Sequence, residues 1–241
     1  MATIPARGLH RIAFAALAAL SLSLATAAET DPFDDDSLWD PPRPESNRGT
    51  LTFLTEPPEN RVHHHHNQIT LAASSLDDGW VILRQCHSDI DSVRRAQILY
   101  NSDTTRDIEI ESQSNIEETW VEGASIQLRE VQPDAELCVN ARSRILQVLG
   151  EGEYLLENGP FMRRFLDGYF PMRVTVAVSW GDLGLSLAAS EPQAQPGFQV
   201  TESPHGVIVE TTFEGRLQTE LRLVNGEGFM DGQGPLNDEG S

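Results

Sequence analysis

The chain has 241 residues, with 37 acidic side chains against 17 basic ones, every one of them Arg, and a formal net charge of −20. Charge of that sign repels nucleic acid and anionic membrane surfaces, and the absence of Lys removes both a P-loop and a Schiff-base nucleophile. G-x-S-x-G, H-E-x-x-H and a G-x-G-x-x-G placed after a strand are also missing, so no motif fixes a reaction.

Arg7, His10 and Arg11 open the chain with positive charge, Ile12 to Leu24 is apolar apart from Ser21 and Ser23, and Ala25-Thr26-Ala27 follows. That order predicts a signal peptide over residues 1–28 and export to the bacterial periplasm or beyond. The apolar run is shorter than the roughly 20 residues that span a bilayer, and no other stretch is long enough, so the mature chain is expected to have no transmembrane segment. Removing the signal leaves 15 Arg against 37 acids, a charge of −22. Residues 29–48 carry Asp34-Asp35-Asp36 and Pro41, Pro42 and Pro44 with little to bury, and read as a disordered acidic leader.

Period-two patterning begins at Thr50–Leu54 and continues through Ile69–Ala72, Trp80–Cys86, Ala96–Tyr100, Ile108–Ile110, Ala124–Leu128 and Leu137–Ile145. The cleanest alternation is Met172, Val174, Val176, Val178 and Trp180 against Arg173, Thr175, Ala177 and Ser179. Leu183–Leu187, Phe198–Thr201, Val207–Phe213 and Leu217–Leu223 follow, the last two joined by Glu214-Gly215. Many short strands between Gly, Pro, Asn and Asp predict a mainly β protein, an antiparallel β-sandwich. Between Asn158 and Pro171 the pattern changes. Pro160 can open a helix and Phe161, Phe165 and Leu166 would share one side of it, so a short helix near 160–167 is expected. It divides a first β half (49–150) from a second (151–225), as two small sandwiches or as one. Residues 226–241, rich in Gly and acid, read as a disordered tail.

Two cysteines in an oxidising compartment predict a disulfide between Cys86 and Cys138. Closing a loop of 52 residues would stabilise the fold by about 4 kcal/mol on chain-entropy grounds. Because Leu137, Val139 and Ala141 look inward, Cys138 should face the polar side with Asn140 and Arg142. The spacing loosely resembles the bridge between sheets in immunoglobulin domains, which implies an immunoglobulin-like sandwich.

Two segments could form a site. In an extended His63-His64-His65-His66 run, His64 and His66 share one face and His63 and His65 the other. Two imidazoles so placed can bind a divalent transition metal such as Zn²⁺, Cu²⁺ or Ni²⁺, with His87 as a third ligand. The segment Phe161, Arg163, Arg164, Phe165 and Tyr169 sets two cations among aromatics, the composition of a ligand or partner surface. Arg163 or Arg164 could clamp a carboxylate or phosphate, or the aromatics could plug the sandwich while the arginines neutralise neighbouring acids. Three functions follow: a non-catalytic periplasmic binding or assembly protein with another periplasmic protein as partner, a metal-binding protein, or a hydrolase for which no residues stand out.

Overall fold

A computed structural model describes residues 48–150, 152–165 and 168–226. The expected signal peptide (1–28), nearly all of the leader and the tail from residue 227 lie outside the described residues. Alternating sequence becomes alternating burial. In chain order the strands are β1 (Thr52–Phe53), β2 (His64–Thr70), β3 (Trp80–Ile90), β4 (Arg95–Leu99), β5 (Thr105–Glu122), β6 (Ser125–Arg144), β7 (Leu146–Gly150) and β8 (Glu153–Phe161). They continue as β9 (Arg163–Phe165), β10 (Gly168–Phe170), β11 (Met172–Ser179), β12 (Leu185–Glu191), β13 (Phe198–Ser203), β14 (Gly206–Glu214) and β15 (Leu217–Asn225). A four-residue helix, α1 (Ser75–Asp78), links β2 to β3 and stops at Gly79, whose φ of 75° suits a residue without Cβ.

A nine-stranded sheet runs β1-β14-β11-β2-β3-β6, with β4 beside β3's line on one edge of β6, β5 on the other, and β13 on β14. A four-stranded sheet, β12-β15-β8-β7, covers it, and β9 and β10 form a separate ribbon. The main core lies between the two larger sheets: Val174, Val176, Val178, Val209 and Phe213 from one meet Leu156, Leu217, Leu221 and Leu223 from the other. This is the sandwich that the alternation predicts.

A second apolar cluster, including Ile116, Ile126, Leu128, Val131 and Leu137, gathers under the long β5–β6 hairpin. Asp89 on β3, Asp134 on β6 and Asn115 on β5 all take positive φ (52°, 56° and 56°), a conformation that short polar side chains tolerate best. Pairing slips beside two of them, between His87 and Ile90 and between Ser114 and Ile116. Arg61 lies 3.6 Å from both aspartates, and Asn115 donates to the Asp134 carbonyl at 3.0 Å. Bulges bend the strands that carry them, and the bend returns the end of β4 towards β3: Tyr100 Oη donates to Gln85 Oε1 at 2.7 Å.

Two expectations change, and one choice left open is decided. No helix forms over the described residues 160–165: β8 runs through a cis Gly159–Pro160 bond to Phe161, and β9 follows one residue later. Pairing of Phe161 with Leu217 buries that ring in the core, while Phe165 stays exposed, so the two do not share a helical face. The chain does not divide into two sandwiches near residue 150, because β2 lies between β3 and, in parallel, β11. Lastly, the disulfide is not an immunoglobulin-like bridge between sheets. Cys86 and Cys138 face each other on neighbouring strands of one sheet, Cα atoms 4.1 Å apart. Cys138 does sit opposite buried Leu137, Val139 and Ala141, as their alternation requires.

Candidate ligand site at the seam of the two clusters

The register of β2 splits the histidine run. His65 pairs with His87 and His66 with Cys86, so His87 shares the inner face with His63 and His65, not the outer face with His64 and His66. A site in which His87 completes a His64–His66 pair is therefore not formed. On the outer face the His64 and His66 rings stack at 5.9 Å, beside the disulfide, and His64 Nε2 lies 2.9 Å from Thr175 Oγ1. That contact pairs a hydroxyl with an imidazole, and no bond from the His64 ring to a carboxylate is found among the described residues. Among the described residues, no group of three or more His, Cys, Asp or Glu is arranged to hold a metal ion.

The inner face carries a directed hydrogen-bond relay. His63 Nε2 and His87 Nδ1 are 2.9 Å apart, and His87 Nε2 lies 3.2 Å from Gln85 Oε1. Because Gln85 Oε1 can only accept, His87 donates through Nε2 and its Nδ1 accepts from His63. Gln85 Nε2 donates to Asn67 Oδ1 at 3.1 Å, and His65 Nε2 lies 2.8 Å from that oxygen and 3.0 Å from Gln85 Nε2, placed to donate to the first in one tautomer or accept from the second in the other. Asn67 Nδ2 then donates to Asn158 Oδ1 at 3.1 Å. The Asn158 carbonyl accepts from Thr219 Oγ1 at 3.2 Å. From His63 to Asn158 each donor passes its hydrogen one way, and the last donor, Asn158 Nδ2, is buried and has no partner among the described residues.

The relay needs neutral imidazoles, and burial supplies them. It lowers His63 to about 4, against the pull of Asp91, and His65 to about 3, against its bond to Asn67. His87 is driven well below its ordinary value by burial, then by His65 and His63. On the other face burial, with Arg173 next, lowers His64 to about 4, and burial also lowers His66. Burial pushes the Tyr100 phenol upwards, so it stays a donor.

The relay ends at a cavity of about 220 Å³ between the two apolar clusters. His65, Asn67, Gln85 and Asn158 form its polar wall, Tyr100 and Thr105 come from the far side, and Phe161 stands edge-on to His65 at 4.9 Å. Polar residues interrupting inner positions of strands were the available signal for this wall. Asn67 occupies the position two before Ile69, and Gln85 the position after Val81 and Leu83. Asn158 had no such mark, because its segment resembled a helix start.

Arg163 turns inward. Its Nε and Nη2 grip both oxygens of Asp91 at 2.9 and 2.5 Å, beside His63, while Phe165 and Phe170 lie 5.4 and 5.7 Å from its guanidinium. Arg164 stays exposed, stacked 5.6 Å over Tyr169. Of the segment expected to bind a partner, Arg163 thus closes an internal ion pair, Phe161 joins the core, and Arg164 and Phe165 remain on the surface. The sequence matches no family model and no curated protein.

Proposed function

We propose that the protein is exported and acts, without catalysis, as a periplasmic binding protein that holds a small molecule in the seam cavity. Export rests on the three-part segment at residues 1–28. Binding rests on Asn158 Nδ2, a buried donor without a partner at the end of an otherwise satisfied network. Leaving such a donor unmade costs about 1–3 kcal/mol, and an acceptor on a ligand that reached this enclosed nitrogen would relieve it. The test is native mass spectrometry of the mature chain taken from the periplasmic fraction without denaturant. A small-molecule adduct that disappears in Asn158→Leu is expected. An adduct-free spectrum, with melting unmoved across a library of small metabolites, overturns the reading.

Metal binding is a second reading, favoured by one contact. The His63 and His87 nitrogens stand 2.9 Å apart on rings that burial keeps in the neutral, ligating form. Calorimetry with Cu²⁺ and Zn²⁺ separates it: micromolar binding lost in His63→Ala supports it, and millimolar binding refutes it.

A further inference from the structure

We infer that the seam cavity selects an uncharged, hydroxylated molecule of about monosaccharide size. This rests on the binding reading above and specifies what would be bound.

The relay sets the first requirement. Asn158 Oδ1 is taken by Asn67, and the side chains behind it are bonded to one another, so the one wall nitrogen with no partner among the described residues is the enclosed Asn158 Nδ2. The ligand must bring an acceptor to that point. Across the cavity stand two buried hydroxyls: Thr105 Oγ1 lies 3.4 Å from Ser143 Oγ, and Ser143 Oγ also donates to the Thr104 carbonyl at 3.3 Å. Hydroxyl oxygens have two acceptor positions each, so spare acceptors remain there. A ligand that accepts on one side and donates on the other is served by hydroxyl groups, since each can do both.

Charge sets the second. No Arg lines the cavity, and its single carboxylate, Glu157, already accepts from Gln147. An anion would find no counter-charge and would approach a protein of net negative charge. A cation would be stripped of water with only Glu157 to meet it, and that carboxylate is already engaged by Gln147.

Shape sets the third. Leu83, Ile98, Ile145, Pro160 and Phe161 make an apolar wall beside the amides. The C–H faces of a sugar ring or a cyclic polyol suit such a wall, while their hydroxyls suit the amides. At about 220 Å³ the space is below the roughly 300 Å³ where pockets for drug-sized ligands begin, which limits the ligand to about one ring. The network already fixes the amides, so little ordering is lost on binding.

Saturation-transfer NMR and calorimetry on the mature chain test this with neutral hexoses, pentoses and cyclic polyols beside the matching uronic acids and amino sugars. At least one neutral compound should bind, with its uronic acid at least about tenfold weaker. Asn158→Leu should weaken that neutral compound about tenfold or more, the worth of one hydrogen bond left unmade. Thr105→Val, on a different strand, guards against misfolding at position 158 and should also weaken it, with melting near the parent's. Preference for charged analogues overturns the assigned class but leaves the binding reading standing. Neutral binding indifferent to both variants overturns the site. Absence of all binding, together with an adduct-free native spectrum, overturns both.

Discussion

Two stretches of the same inner sheet face are built on opposite terms. Under β11 and β14 the face is dry: Val174, Val176, Val209 and Phe213 are wholly enclosed and carry no polar side-chain atom. On the next two strands, β2 and β3, the equivalent positions are His65, Asn67, Gln85 and His87. The first stretch gains from every apolar atom removed from water. The second gains little net from burial, because its groups exchange water for one another, and it is stable only while the network is complete. A sandwich of this size could have continued the valines. On the binding reading proposed above, the polar stretch is explained by what it presents to the cavity.

The comparison breaks first, and hardest, in the dry stretch. Phe213→Ala should cost about 3–5 kcal/mol, because the ring is lost from a position with no exposure and the cavity left behind cannot fill. Urea unfolding measures this, and a loss below 1 kcal/mol would mean that the core is not close-packed there.

Next comes acid, which should act on the histidines of β2 and β3 and leave the dry stretch untouched. His63 titrates near 4 in the fold, because of burial, and near 6.5 when unfolded. Between those values the unfolded chain takes up a proton that the folded chain does not. Its contribution is thus fully present above about pH 6.5 and is lost as pH falls towards 4. At about 1.4 kcal/mol per pKa unit the loss is about 3 kcal/mol for His63, and contact with His87 couples the two titrations. Stability measured at pH 7.5, 6, 5 and 4 should fall through this window in the parent, and by visibly less in His63→Gln. Identical profiles would show that the imidazole is already solvated.

Reduction of the disulfide is expected to act on both stretches through the unfolded chain. Freeing the loop between Cys86 and Cys138 removes a constraint worth roughly 2–4 kcal/mol. Cys86→Ala with Cys138→Ala should lower the urea midpoint and leave ligand binding at Asn158 intact. Loss of binding with only a small change in midpoint would contradict a purely structural bridge.

Much of the dry stretch was legible because a strand with one buried face writes its period into the sequence. Val174, Val176 and Val178 do so openly, and the alternation of Leu137, Val139 and Ala141 sets Cys138 on the outer face. Long-range pairing leaves no such mark. Nothing near Pro160 reveals that Phe161 will pair with Leu217, and local spacing there suits a helix as well as a strand. The parallel pairing of β2 with β11 joins residues more than a hundred positions apart. For the site, the histidine run was visible but its division was not, since the face taken by His87 depends on the register of β2 against β3. The aromatic and arginine segment was visible too, yet the bond from Arg163 to Asp91 crosses 72 positions.

The smallest expected effect is also the most specific. Tyr100→Phe removes one hydroxyl and leaves the ring, and with it the packing of β4 against the second cluster. Gln85 Oε1 then keeps His87 as its donor, so no group is orphaned and the loss should be about 1 kcal/mol, the net worth of one hydrogen bond. A change of several kcal/mol would mean that Tyr100 closes the network rather than braces it from outside. The readout beyond stability is the exchange of the side-chain amide protons of Gln85 and Asn67 by NMR. Gln85 is held on one side by β2 and on the other by Tyr100, so loss of the hydroxyl should speed amide exchange at Gln85 first and at Asn67 less. Faster exchange at Asn67 alone would place the weak point of the relay on β2, and the bend that returns β4 to the cavity would then have no part in holding it.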